Sequence, residues 1–229
     1  MEAIILAGGF GTRLAQVVKD VPKPMAPVAG KPFLQYVADD LIAQGFDRLV
    51  FAVCYKKESI MNFFGSTYGG AEVLYSVEEE PLYTGGAICQ ALALCRDERV
   101  TVVNGDTFFG VDLAAMRRFA EDRGRQIVIA VREMRDFSRY GRVETNAARE
   151  VIAFHEKQPC AQGFINGGIY DLSRTSLEGY PQRFSMEEEC FPKLLQSKQI
   201  LAFPSDGLFI DIGIPKDYVR AQTLFGEAK

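Results

Sequence analysis

An apolar run, Ala3-Ile4-Ile5-Leu6, passes directly into a glycine-rich turn, Ala7-Gly8-Gly9-Phe10-Gly11-Thr12-Arg13-Leu14. A strand that ends in glycines presents bare backbone N–H groups, and no Cβ blocks the approach of phosphate oxygens. Arg13 adds a planar cation that can grip two such oxygens at once. Lys23 follows on a stiff Val21-Pro22-Lys23-Pro24-Met25 segment. Glycines, an arginine and a braced lysine within so short a span suggest a site for a highly charged ligand.

Apolar runs at Arg48–Cys54, Ala71–Ser76, Arg99–Asn104 and Gln126–Val131 also read as strands. Helical periodicity lies between them, at about Pro32–Gln44, Ala87–Cys95 and Leu113–Asp122. In the first of these helices Phe33, Leu34, Val37, Leu41 and Ile42 share a face, and Gly45 stands where a C-cap glycine belongs. This alternation predicts an α/β fold: a Rossmann-like, mostly parallel central sheet with helices on both faces. Beyond residue 140 the pattern turns β-rich. Gly141–Thr145 and Val151–Glu156 read as a hairpin, Phe164–Tyr170 as a further strand, and Ser185-Met186-Glu187-Glu188 as a capping box. Short strands at Gln199–Phe203 and Phe209–Ile212 and a last helix from Pro215 to about Phe225 complete the reading. With 229 residues, no linker and no repeat, the expectation is one domain spanning 1–229, with a small β-rich insertion on the same sheet.

Composition excludes several classes. A net charge of −4 and a pI near 5.2 argue against nucleic acid as a partner. No apolar run approaches the roughly 20 residues of a membrane span, and Ala3–Leu6 is too short for a signal segment. Five scattered cysteines without C-x-x-C spacing read as reduced thiols of a cytoplasmic chain. Gly9-x-Gly11-x-x-Leu14 misses the dinucleotide fingerprint, and no acidic residue stands where a ribose would need one.

Two aspartates end strand-like runs: Asp106 in Asn104-Gly105-Asp106, and Asp211 before Ile212-Gly213-Ile214-Pro215-Lys216-Asp217-Tyr218. A carboxylate at the carboxyl end of a central parallel strand points into the ligand crevice. A nucleotide-sugar glycosyltransferase would usually carry D-x-D here, whereas Asp106 precedes Thr107-Phe108.

On these residues the chain resembles the sugar nucleotidyltransferases, whose G-x-G-T-R-L loop and P-K-P-M/L segment match Gly9–Leu14 and Pro22–Met25. Pro81-Leu82-Tyr83-Thr84-Gly85-Gly86 resembles the family's base-reading loop, although Tyr83 departs from the usual small or acidic residue. Phe154-His155-Glu156-Lys157 resembles its F-x-E-K/R segment, and Asn166-Gly167-Gly168-Ile169-Tyr170 its N-x-G-x-Y strand. The resemblance implies transfer of a nucleoside monophosphate from an NTP to a sugar 1-phosphate, with Mg²⁺ as cofactor and pyrophosphate as product. It implies nucleotide contacts from Leu6, Ala7, Gly8, Gly9, Gly11, Thr12, Arg13 and Lys23. Glu80, Thr84, Gly85, Gly86 and Asn104 complete that half. The sugar phosphate falls to Gly141, Glu156, Lys157, Asn166 and Gly167, and the metal to Asp106 and Asp211. Arg13, Lys23 and Asp106 carry the catalytic roles. Residues 1–140 would then serve mainly the nucleotide and 141–229 mainly the sugar phosphate. The overall likeness favours GTP with a manno-heptose 1-phosphate. UTP with an amino sugar or N-acetylmuramic acid 1-phosphate is the runner-up, and a homodimer is left open. The charged run Glu187-Glu188-Glu189 reads as a solvated face, and His155 as a partly exposed strand residue.

Overall fold

Strand β1 (Glu2–Leu6) lies at the heart of the sheet, and its alternate side chains enter two different cores. The structure is a computed structural model that describes residues 1–9, 11, 14, 18, 20–196 and 199–226. After β1, a 3₁₀ turn at Lys23–Met25 leads to a short hairpin, β2 (Pro27–Val28) and β3 (Lys31–Pro32), and to helix α1 (Phe33–Ala43). There follow β4 (Arg48–Val53), α2 (Lys57–Phe64), β5 (Thr67–Tyr68), β6 (Ala71–Val77) and α3 (Tyr83–Leu92). Next come β7 (Arg99–Asn104), β8 (Thr107–Phe109), α4 (Leu113–Arg123) and the long β9 (Ile127–Phe137). The β-rich part holds β10 (Gly141–Thr145), β11 (Val151–Lys157) and β12 (Cys160–Ser173). A π-helical turn (Met186–Cys190), α5 (Phe191–Leu195), β13 (Ile200–Pro204), β14 (Phe209–Asp211) and α6 (Pro215–Gly226) close the chain.

Among the described residues one ten-stranded sheet carries the fold, in the order β11-β10-β12-β7-β1-β4-β6-β5, with β9 beside β12 and β13 beside β9. The pairs β1/β4, β1/β7, β4/β6 and β9/β13 are parallel. Ile5, Phe51 and Val103 face α1, α2 and α4, while Ile4, Val50 and Val102 face α3 and α5. Helices therefore cover both faces, as the alternation predicts. Each fully buried Ile, Leu, Val or Phe contributes about 1.5–3 kcal/mol of transfer free energy. All six residues of β4 are buried; Arg48 pairs there with Glu2, and Leu49–Val53 are continuously apolar as a strand covered on both faces must be. None of the described helices is long and apolar enough to cross a membrane.

Three expectations need correction. Helix α3 starts at Tyr83, not Ala87, and ends at Leu92. Glycines argue against a helix here, but the Gly85 and Gly86 amides both donate to the Phe184 carbonyl, at 3.0 and 3.2 Å, and tertiary contact holds the turn. Helix α2 goes unpredicted because it is short; Ile60 and Phe64, four apart, are its buried pair. Strands β9 and β12 run well past their expected ends because they pair along nearly their whole length, with a bulge between Asn166 and Tyr170. The β-rich residues extend the main sheet rather than standing apart from it.

Candidate active site

The parallel register puts Leu6 beside Asn104, so the glycine turn after β1 adjoins the carboxylate after β7. At these strand ends opens a cleft of about 490 Å³. Of the residues singled out from sequence, Leu6, Ala7, Gly8, Gly9, Gly11, Lys23, Thr84, Asn104 and Asp106 line it. Gly11 adopts φ +59°, and a Cβ there would stand 2.6 Å from Lys23 Cβ. Only glycine fits this corner, which brings the turn onto the Pro-Lys-Pro segment. Thr12 and Arg13 lie outside the described residues.

Lys23 Nζ, on a side chain only 10% exposed, lies 2.6 Å from Asp106 Oδ2 and 3.4 Å from Asp211 Oδ1. The small β8/β14 ladder pairs Thr107 with Asp211 and thereby sets the second carboxylate beside the first. Asp211 is further fixed by the Gly213 amide, which donates to Oδ1 at 2.6 Å, and by Arg139 and Tyr140, both 3.4 Å from Oδ2. Arg139 also pairs with Asp217. Burial and the nearby Asp211 push the Tyr140 phenol well above its ordinary pKa, so it remains a donor. Two carboxylates converging on one ammonium form a hard-oxygen donor set that fits a divalent cation. No cluster of three or more His, Cys, Asp or Glu occurs among the described residues, so a cation here would complete its shell with phosphate oxygens and water.

The cleft also holds residues that sequence reasoning passed over. Of the run Glu78-Glu79-Glu80, it is Glu78 that is buried and lines the cleft; Glu80 is exposed and outside the lining. Glu78 Oε2 accepts the Leu82 amide at 2.9 Å, and Oε1 lies 2.9 Å from where a Cβ on Gly8 would be. Burial raises the Glu78 pKa above the ordinary glutamate value, against a smaller lowering by the Leu82 amide. Glu187 is exposed, as a solvated face requires, yet it lines the cleft too. Its Oε2 accepts Thr84 Oγ1 at 2.8 Å and its Oε1 accepts the Tyr170 hydroxyl at 3.2 Å. Asn166 Nδ2 in turn donates to Tyr170 Oη at 3.0 Å, so a chain of hydrogen bonds joins β12 to α3. The wide π turn carries Glu187, a geometry no hydrophobic pattern encodes.

The remaining candidates lie elsewhere. Gly85 and Gly86 are not in the lining; a Cβ on either would strike Phe184 or the Gln182 carbonyl at 2.3 Å. Gly141, at the β10/β11 pairing, backs the His155 carbonyl, and Gly167 packs under Phe109. Glu156 and Lys157 are exposed near the end of β11. His155 is half-buried between Glu144 (2.7 Å) and Arg142 (3.0 Å), away from the cleft.

The sequence model of the nucleotidyl transferase family matches residues 2–227. The chain belongs to this family. The transferase is 45% identical over 224 residues to the D-glycero-α-D-manno-heptose 1-phosphate guanylyltransferase of Aneurinibacillus thermoaerophilus, covering 97% of each sequence. It is 43% identical over 223 residues to the enzyme of the same name from Campylobacter jejuni, covering 95% of this chain and 97% of that one. Its fold matches the crystal structure of HddC from Yersinia pseudotuberculosis complexed with GMP-PN, with a TM-score of 0.88 at 36% identity over 98% of this chain and 99% of the other. It is thus an enzyme, a nucleotidyltransferase on a mixed α/β fold.

Proposed function

We propose that this transferase joins GTP to D-glycero-α-D-manno-heptose 1-phosphate, giving GDP-heptose and pyrophosphate. The observation that carries the substrate pair is the full-length identity, above 40%, to two enzymes that bear this activity in their names. The cleft supports the base. A guanine edge offers two adjacent donors, N1–H and the N2 amino group, to an acceptor such as Glu78. Uracil and thymine offer one N–H flanked by carbonyls, which a carboxylate would repel.

In this reading an oxygen of the sugar phosphate attacks the α-phosphorus in line, and the bond to the bridging oxygen breaks as pyrophosphate leaves. No covalent enzyme intermediate forms, so the protein's work is positioning and charge stabilisation. The backbone from Leu6 to Gly11, with Thr12 and Arg13, holds the triphosphate. Lys23, already inside the cleft, neutralises the reacting phosphates. Asp106 and Asp211 would hold Mg²⁺, which supplies Lewis-acid stabilisation of phosphate charge when bound. Thr84 and Asn104 flank the nucleoside, with Gly85 and Gly86 packed behind Thr84 against Phe184 and Gln182, and Glu80 at the exposed entrance to that loop. Gly141, Glu156, Lys157, Asn166 and Gly167 receive the sugar phosphate. Residues 1–229 then act as one unit, because β9 to β13 complete the sheet that β1, β4 and β7 begin. Five free thiols suit a reducing cytoplasm.

The test is pyrophosphate release measured for each NTP against a panel of sugar 1-phosphates, with and without Mg²⁺. Release confined to GTP with the heptose phosphate, and dependent on Mg²⁺, is expected. Preference for UTP or dTTP would overturn the base, preference for another sugar phosphate would overturn the acceptor, and undiminished release without divalent cations would overturn the metal assignment.

A further inference from the structure

Tyr83 combines features that packing alone does not account for. It is the first residue of α3 and adopts φ +60°, a conformation that side chains other than glycine rarely take. Tyr83 lines the cleft and is 56% exposed. The Arg183 guanidinium stands over the ring, 4.7 Å from its centroid, and Arg183 Nη2 donates to the Tyr83 hydroxyl at 3.2 Å. Arg183 is not itself part of the lining. The Phe184 amide donates to the Leu82 carbonyl at 3.2 Å, so the segment that bears Arg183 is tied to the start of α3.

We propose that Tyr83, backed by Arg183, is a stacking surface for the purine of the bound nucleotide. The inference rests on the GTP reading above and adds a residue to its specificity. A strained backbone at a cleft persists when the side chain it presents is needed there. A guanidinium over one face of a phenol ring is held by the ring's negative quadrupole and withdraws charge from it. The ring's other face then suits an electron-rich, extended π surface. Guanine offers more of this than a pyrimidine does, and the rigid ring loses little entropy on contact. Arg183 acts here as a positioning residue, fixing the ring by both its face and its hydroxyl.

Calorimetric titration with GTP and Mg²⁺, without sugar phosphate, reads binding directly. Tyr83→Gly, which suits the positive φ, should weaken GTP binding about tenfold, as expected for loss of one base stack. It should weaken UTP binding far less. Tyr83→Phe should bind GTP within about twofold of the parent. Arg183→Met should lower the GTP-to-UTP preference while leaving the melting temperature unchanged. Tyr83→Asn, which also tolerates positive φ, repeats the test should the glycine variant misfold. GTP binding by Tyr83→Gly equal to the parent's would overturn this inference and leave the proposed reaction standing. Failure of the parent itself to bind GTP would overturn both.

Discussion

Lys23 holds its ammonium 2.6 Å from Asp106 and 3.4 Å from Asp211, at the spot where these two carboxylates converge. With the divalent cation held by these two carboxylates as proposed, lysine and cation would compete for the same oxygens. Entry of the cation would then release Lys23, the one Lys or Arg among the described lining residues, toward incoming phosphates. Lys23→Met should tighten Mg²⁺ or Mn²⁺ binding about tenfold, equivalent to roughly 1.4 kcal/mol, while sharply lowering kcat. Metal titration by calorimetry checks the first effect. Weaker metal binding in the variant would show that the lysine supports the carboxylates and does not compete.

Asp106→Asn keeps the shape of the residue and removes its charge. Turnover should fall roughly 100- to 1,000-fold, the size of losing one preorganised electrostatic partner. The fold should survive, because the Asp106 backbone carbonyl still accepts the Ile212 amide at 3.1 Å. Circular dichroism and steady-state kinetics on the same sample separate the two effects. Near-normal turnover at saturating Mg²⁺ would remove Asp106 from the metal site.

Glu78 predicts a pH signature. Its folded pKa is raised by burial, so the folded state prefers the protonated acid. The stability this group contributes is fully present below the ordinary glutamate value and is lost as pH rises through the raised one. Glu78→Gln is neutral throughout and can still accept the Leu82 amide. It should melt above the parent at pH 7, with the gap closing near pH 4, and it should bind GTP more weakly at pH 7. Calorimetric melts across that range decide it; a gap independent of pH would contradict the sign.

Gly11→Ala puts a methyl group at φ +59° and against Lys23 Cβ. The αL conformation costs an alanine about 1–2 kcal/mol, and Lys23 cannot retreat because the contact is at its Cβ. A shift of about 1 Å in the lysine should cost roughly 100-fold in kcat/KM. Kinetics with GTP as the varied substrate measures it, and a variant as active as the parent would show that the corner can open.

Tyr170→Phe removes a hydroxyl from a side chain that is 1% exposed. Asn166 loses an acceptor and Glu187 loses a donor. A cost of about 1–2 kcal/mol in urea denaturation is expected, along with a higher KM for the sugar phosphate if β12 contacts it. An unchanged midpoint would mean that water replaces the hydroxyl without penalty.

How much of this could be read in advance follows from the range of each signal. Strand β7 appears with its observed ends, because four consecutive buried residues fill it and Gly105 stops it. Lys23 and Asp106 stand out because a cation between prolines and an aspartate after an apolar run are local patterns. Glu78 does not stand out: its burial comes from β6 ending under the glycine turn, and nothing nearby distinguishes it from Glu79 and Glu80. Glu187 hides for a different reason. The capping box does form, with the Glu188 amide donating to Ser185 Oγ, but the acid that reaches back to the Ser185 amide is Glu189. The turn is one residue wider than an α-helical turn, and no spacing rule for α-helices anticipates it.

That extra residue gives the cleft wall an unusual mode of variation. A π turn differs from an α turn by a single insertion, so Glu187 owes its direction to chain length as well as to side-chain identity. Removing one residue between Met186 and Cys190 would rotate the turn by about 100° and swing a different side chain toward Thr84 and Tyr170. Related chains can therefore re-aim this wall through a single three-base deletion, with every hydrogen-bonding residue of α3 and β12 left in place.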